Sequence, residues 1–362
     1  MTKLVSIIWP YLAAATVAGI AAWLLLLPPG DLVPATVSRV VFTEMVELPN
    51  RVQAIGSQIV EVEADAGRLI RINHGGEPLV VGDRVLLESI GADAYSVADR
   101  DRRGALAGTI LAFAVAVVIC GGARGARSLI ALAFSVFGLA LGYAPLVLAG
   151  APPVLTSVAF AAIVLLLAMA TSGGLRRETW VAYLSTLVSV VATAAFAAAA
   201  SAAARLSGQG DDAALYLNVA GHNLDFVGLF LGATIVGVVG ILDDVAVTQV
   251  AVVSDLLASG ASRRESFRRA LSVGREHAAS LVNTLVLAYA GSALPLFLLA
   301  YADPSPWGAL LSREVFAAEI VRSAAGTAGL ALCVPVATAL AVWLLRPGKG
   351  AKPFGHACGH RH

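Results

Sequence analysis

Residues 224–258 read LDFVGLFLGATIVGVVGILDDVAVTQVAVVSDLLA, and this stretch decides the fold. As one helix it would be about 52 Å long at 1.5 Å per residue, against a bilayer core of about 30 Å. No charge falls between Phe226 and Leu242, so the stretch spans a membrane and then continues, or breaks, beyond Asp243-Asp244. Gly228, Gly232, Gly237 and Gly240 let other helices approach closely, with 228–232 forming a Gly-x-x-x-Gly pattern. At 100° per residue Asp244, Thr248 and Asp255 share one narrow arc. Asp243 and Ser254 lie beside it, and Val245, Val252 and Leu256 lie opposite. A carboxylate at the bilayer centre costs about 2.5–3.5 kcal/mol. Two adjacent ones therefore line a wet cavity or lie at the cytoplasmic mouth, and a solvated helix end is the plainer alternative.

The rest of the chain has the same character. Of 362 residues 58% are hydrophobic and 14% charged, and mean hydropathy is +0.81, which excludes a soluble enzyme and a disordered chain. A net charge of +1 offers nothing to nucleic acid. The cysteines (Cys120, Cys333, Cys358) lie in or after apolar runs, so no disulfide framework is expected. Apolar runs at 4–27, 104–122, 128–150, 153–171, 180–204, 224–242, 277–301 and about 321–345 predict an α-helical polytopic membrane protein of about eight transmembrane helices. The 4–27 run ends in four leucines and two prolines and is expected to be an anchor rather than a cleaved signal. With the N-terminus inside, 14 Lys and Arg fall in cytoplasmic segments and only Arg205 and Arg313 in short outer loops, which predicts both termini cytoplasmic in a cell membrane.

Segment 28–103 differs in kind. Branched runs such as 35–42, 57–64, 69–73 and 84–90 are broken by Gly75-Gly76 and Gly82-Asp83, predicting a small exported β-rich domain between helices 1 and 2. The expected organisation is an anchor (4–27), that domain (28–103), a seven-helix domain (104–346) and a cytoplasmic tail (347–362).

No phosphate loop, zinc-protease pair or nucleophile elbow occurs, so neither an enzyme nor a cofactor is expected. Glu276, Ser280, Asn283 and Thr284 share a helix face, and such faces usually point into a bundle; interhelical packing through hydrogen bonds explains them equally well. Asp243, Asp244, Gln249, Asn283 and Thr284 are the expected lining of a solute or ion path, with the two aspartates binding a cation or proton. The basic segment 259–275 is expected to form a surface helix or a cytoplasmic docking site through Arg263, Arg264, Arg268 and Arg269, although orientation-determining charge alone explains it. Glu319 and Arg322, three apart, are expected to pair as a structural feature of the last span. In the tail, His356, Cys358, His360 and His362 form a short tract of the kind that holds Zn²⁺, Ni²⁺ or Cu ions weakly; a tail without a folded site is the simpler reading.

The stretches GATIVGVVGILDDVAVTQ (232–249), VGREHAASLVNTLVLAYAGSALPLFLL (273–299) and EIVRSAAGTAGLALCVP (319–335) resemble signature segments of the YibE/F-like integral membrane proteins. The order of anchor, β-rich segment ending YSVADRDRR (95–103) and helical bundle is similar too. The resemblance implies fold and location and carries over no catalytic or binding residue. The expected function is a permease-like transporter or channel for a small solute or ion, with the bilayer as partner. The second expectation is a membrane scaffold, whose exported domain and basic segment dock cytoplasmic or membrane protein partners.

Overall fold

Alternating branched residues close a small sheet ahead of the helices. The computed structural model describes residues 19, 30–48, 51–64, 68–91, 94–172, 176–221 and 223–345. The anchor 4–27 (Gly19 apart) and the tail with His356, Cys358, His360 and His362 lie outside the described residues. The chain divides into two compact units, 1–130 and 131–362.

In the first unit, β1 (Val33–Leu48), β2 (Arg51–Ala64), β3 (Arg68–His74), β4 (Arg84–Ser89) and β5 (Tyr95–Arg100) form one antiparallel sheet in the order β3-β2-β1-β4-β5. The edge strands β3 and β5 approach each other, so the sheet curls into a half-barrel. Its inward face follows the period of two: Val37, Val60, Val62, Ile72, Val85 and Leu87 are buried together. The register pairs Val37 with Val62 and Val60 with Ile72. Buried Gln58 ties the 75–83 loop down, its Nε2 donating to the Leu79 carbonyl (3.0 Å) and its Oε1 accepting from the Leu79 amide (2.8 Å). That pairing satisfies both backbone groups of a residue whose side chain fills the core. The β-rich domain expected from 28–103 is present.

Helix α1 (Arg103–Gly138) is broken at Gly122, whose φ of 55° and ψ of −141° lie outside the helical region. Gly125 completes the turn. A Cβ there would lie 2.4 Å from the Val117 carbonyl oxygen, so only glycine lets the two arms close. Ala114, Ala126 and Leu129 pack between the arms with Val117 and Val118. The runs 104–122 and 128–150 thus separate at a tight turn, with Arg124 and Arg127 just beyond it. The chain goes on through a π-helical turn (Leu139–Tyr143) and α2 (Ala144–Leu148).

The second unit contains α3 (Pro153–Ser172), α4 (Arg177–Ala204), α5 (Asp212–Val219), α6 (Phe226–Ala258), α7 (Arg263–Ser292), α8 (Leu294–Ala302), α9 (Trp307–Leu311) and α10 (Glu314–Leu344). Helices α4, α6 and α10 pack on one another, α3 lies on α6, and α7 lies along α10 and touches α6. Val190, Ile235, Val238, Leu242, Val245, Leu330, Cys333 and Ala337 form the core. A second cluster joins Val250, Val253 and Leu257 to Val181, Ala182 and Ala341. The last turns of α6 are therefore level with the start of α4 and the end of α10.

Two expectations change. Helix α6 runs unbroken past the aspartates to Ala258, which removes the reading of Asp243-Asp244 as a helix end. The basic segment 259–275 is neither a loop nor a separate surface helix: from Arg263 it forms the first turns of α7 itself. Ser262 caps that helix by accepting from the Glu265 amide, and Glu265 pairs with Arg269 one turn on. Hydropathy located the span at 277 because the arginines mask continuous helix. Among the described residues four helical stretches are long and apolar enough to cross a bilayer, or five when α7 and α8, bent by 61°, count as one.

Candidate functional site

The candidate site starts from a stripe on α4. Ser185, Ser189 and Thr193 recur every fourth residue, with Thr186 beside them, and all four are fully buried against α6 and α10. Each hydroxyl donates to the carbonyl four residues back: Ser185 to Val181 (2.7 Å), Thr186 to Ala182 (3.0 Å), Ser189 to Ser185 (2.8 Å) and Thr193 to Ser189 (2.8 Å). That bond satisfies the hydrogen and leaves each oxygen's lone pairs facing the bundle. Small side chains also let α10 come close. A Cβ on Gly329 would fall 1.9 Å from Thr193 Oγ1.

Asp243 of α6 faces this stripe. It is half-buried, and its carboxyl lies near the Thr186 hydroxyl. Thr186 has one hydrogen, which goes either to Ala182 or to Asp243. In the first case Thr186 turns only acceptor oxygen towards the carboxylate, a pairing that a proton or a cation would bridge. Cys333 of α10 closes the third side. Its buried thiol donates to the Leu242 carbonyl at 3.4 Å, and both Ser189 and the Asp243 carboxyl bear on it. Thr186 lies nine residues from the start of α4 and Cys333 eleven from the end of α10, or about 13–17 Å along each helix. The Asp243 cluster is thus well inside the bundle.

The other expected residues separate from it. Asp244, one residue and 100° further round, is exposed together with Thr248 and Asp255, so the shared arc exists but faces away from the α4 stripe. Gln249 is buried and holds three helices together, its Nε2 donating to the Ala270 carbonyl and to Thr338 Oγ1, each at 2.7 Å. Gly274 makes the room, since a Cβ there would meet Gln249 Oε1 at 2.5 Å. Asn283 and Thr284 do not line a path with Asp243. They are exposed with Glu276 and Ser280, while α7 turns Ser266, Ala270, Gly274, Ala278 and Leu285 inward. Spacing shows that residues share a face but not which way the face points. Arg263, Arg264, Arg268 and Arg269 are all exposed on the first turns of α7.

A feature taken as structural becomes part of a cavity. Glu319 and Arg322 of α10 form an ion pair on the wall of a cavity of about 780 Å³ at the α10 N-terminal end, with Asp212, Tyr289 and Ser292 among its other lining residues. The Tyr289 hydroxyl reaches from that cavity towards α6 and α10. It would be 3.2 Å from a Cβ on Gly326 of α10 and 3.8 Å from one on Gly237 of α6. Among the described residues no group of three or more His, Cys, Asp or Glu could hold a metal ion.

The family of YibE/F-like proteins matches residues 109–347, about two-thirds of the chain. No curated protein and no solved structure matches it.

Proposed function

The chain belongs to the YibE/F-like family, and from that premise and the surroundings of Asp243 we propose that it is a permease-like membrane protein moving a small cation, protons included. The carrying observation is a carboxylate placed midway along a long apolar helix, beside a stripe of buried hydroxyls that donate to their own helix's carbonyls. With the α4 start and the α10 end at one membrane surface, about 13–17 Å is roughly half of a 30 Å core. An ionised side chain at that depth is costly unless it has work to do. Asp243 Oδ takes up the cation or proton, and the free lone pairs of Thr186 and Ser189 replace part of its hydration shell. Eight passes with both termini cytoplasmic suit this reading. The apolar run 4–27, read from sequence alone, would join the two arms of α1, α3, α4, α6, the bent α7–α8 pair and α10 in supplying them, with the basic residues giving the orientation.

The test is flux in proteoliposomes, with a pH-sensitive dye and a panel of monovalent and divalent cations inside. Asp243→Asn should lower the flux at least about tenfold, equivalent to about 1.4 kcal/mol of lost barrier stabilisation, at unchanged protein abundance. Parental flux in Asp243→Asn would overturn the proposal.

A second reading, a scaffold docking other proteins, draws on one observation: Glu276, Ser280, Asn283 and Thr284 form a polar stripe on the exposed face of α7, which lipid covers poorly. A photo-crosslinking residue at Asn283 that captures a defined membrane protein in cells would favour it, and crosslinks to lipid alone would dismiss it.

A further inference from the structure

The cavity at the α10 N-terminal end holds both signs of charge, with acid in excess. Asp211, Asp212 and Glu319 line it against Arg322, the one cation among its described lining residues. Asp211 is committed to capping α5, where it accepts from the Ala213 amide. Glu319 is committed to Arg322. Arg322 is less firmly held. Its Nε is buried without a hydrogen-bond partner, and its guanidinium carbon stands 5.3 Å from the centre of the Phe230 ring, within cation–π range. A pocket of about 100 Å³ that Phe230, Glu319 and Arg322 also line adjoins the cavity. The guanidinium thus has a carboxylate and an aromatic face as neighbours and free space next to both. Aromatic and carboxylate groups together are what recognises guanidinium and ammonium ions.

We propose that Glu319 is a binding site for a guanidinium- or ammonium-type cation entering from the cavity, and that Arg322 occupies it as a tethered stand-in which the incoming cation displaces towards Phe230. The proposal rests on the reading of the bundle as a cation permease and supplies the site nearest the α10 N-terminal end, with Tyr289 also on the cavity wall. A tethered counterion keeps the partly buried Glu319 from standing as a bare carboxylate when nothing is bound, since a partly desolvated charge costs more unpaired than paired. It also sets selectivity. A ligand must outcompete a guanidinium already in place, which weak anions and neutral solutes cannot do.

Two measurements on the full-length protein test this, the first on the purified protein and the second in membranes, with methylguanidinium chloride as the probe. In Arg322→Ala the stand-in is gone, and millimolar methylguanidinium should raise the melting temperature saturably. Equal concentrations of urea or sodium chloride should not, and Arg322→Ala/Glu319→Gln should show no such rise. If the single variant responds no differently from the double, the proposal is overturned. The second measurement leaves the ion pair intact. Ser292→Cys, on the cavity wall, should react with a membrane-impermeant maleimide. Methylguanidinium at about twice its Kd should slow that labelling about threefold by occupancy, and Glu319→Gln should abolish the protection. Labelling that ignores the cation, or no labelling in either intact cells or inverted vesicles, overturns the site. Neither readout needs transport. Binding at Glu319 without Asp243-dependent flux would sink the permease reading and spare this site, whereas flux without binding would do the reverse.

Discussion

At the scale of single residues, Asp243 and Asp244 are neighbours in sequence that face different ways. One 100° step puts the first among the hydroxyls of α4 and the second on the exposed arc with Thr248 and Asp255. Asp244→Asn should therefore leave most of the flux that Asp243→Asn removes, and the same proteoliposome assay reads both. A second residue carries a pH prediction. Asp303, in the link after α8, accepts from the Ser305 amide (2.8 Å) and from Arg313 (2.7 Å). Its hydrogen bonds with Ser305, and then Arg313, pull its carboxyl down from 3.8 to about 2. A depressed carboxylate stabilises the fold above its unfolded pKa and loses that contribution as pH falls through the folded one. The α8–α9 link should hold at pH 4 and loosen towards pH 2. Trp307 fluorescence, with the other tryptophans replaced by phenylalanine, should show that step, and Asp303→Asn should lack it. In the sequence Asp243 stood out because charge is rare in apolar runs. The α4 partners did not, because serine and threonine are common in membrane helices. Their fourfold spacing was the available signal.

At the scale of elements, glycine decides which helices touch. Gly329→Ala drives a methyl onto Thr193, and overpacking of this kind costs about 1–3 kcal/mol. Gly240→Ala meets nothing within 4 Å and should be neutral, or stabilising by a few tenths of a kcal/mol through helix propensity. Thermal unfolding in detergent should rank the two variants in that order, and equal melting temperatures would contradict the α4–α10 contact. The strands of the half-barrel were legible because alternation and turn glycines agree. The start of α7 was not. Hydropathy registers arginine as the end of a span, whereas the backbone registers only that Arg, Glu, Ser and Ala all propagate a helix. The break at Gly122 was legible as a gap between two apolar runs, with arginines marking it.

On the scale of the whole molecule, the prediction concerns sidedness. A reporter active only outside the cytoplasm should work when inserted after residue 60 and fail after residue 352. Activity at the second position would contradict cytoplasmic termini and with them the eight-pass arrangement. The turn at Gly122 matters here in a way that concerns biosynthesis rather than packing. Each crossing reverses the face of the membrane on which the nascent chain next emerges, so the count of crossings is a matter of parity. The stretch from Arg103 to Leu148 is apolar enough to be threaded once, as a single tilted rod. In the proposed eight-pass arrangement the hairpin makes it two, with Arg124 and Arg127 on the cytoplasmic face at the return. In that arrangement one glycine would act as an inverter for the 240 residues made after it, and a chain that missed the turn would emerge with every later loop on the wrong side.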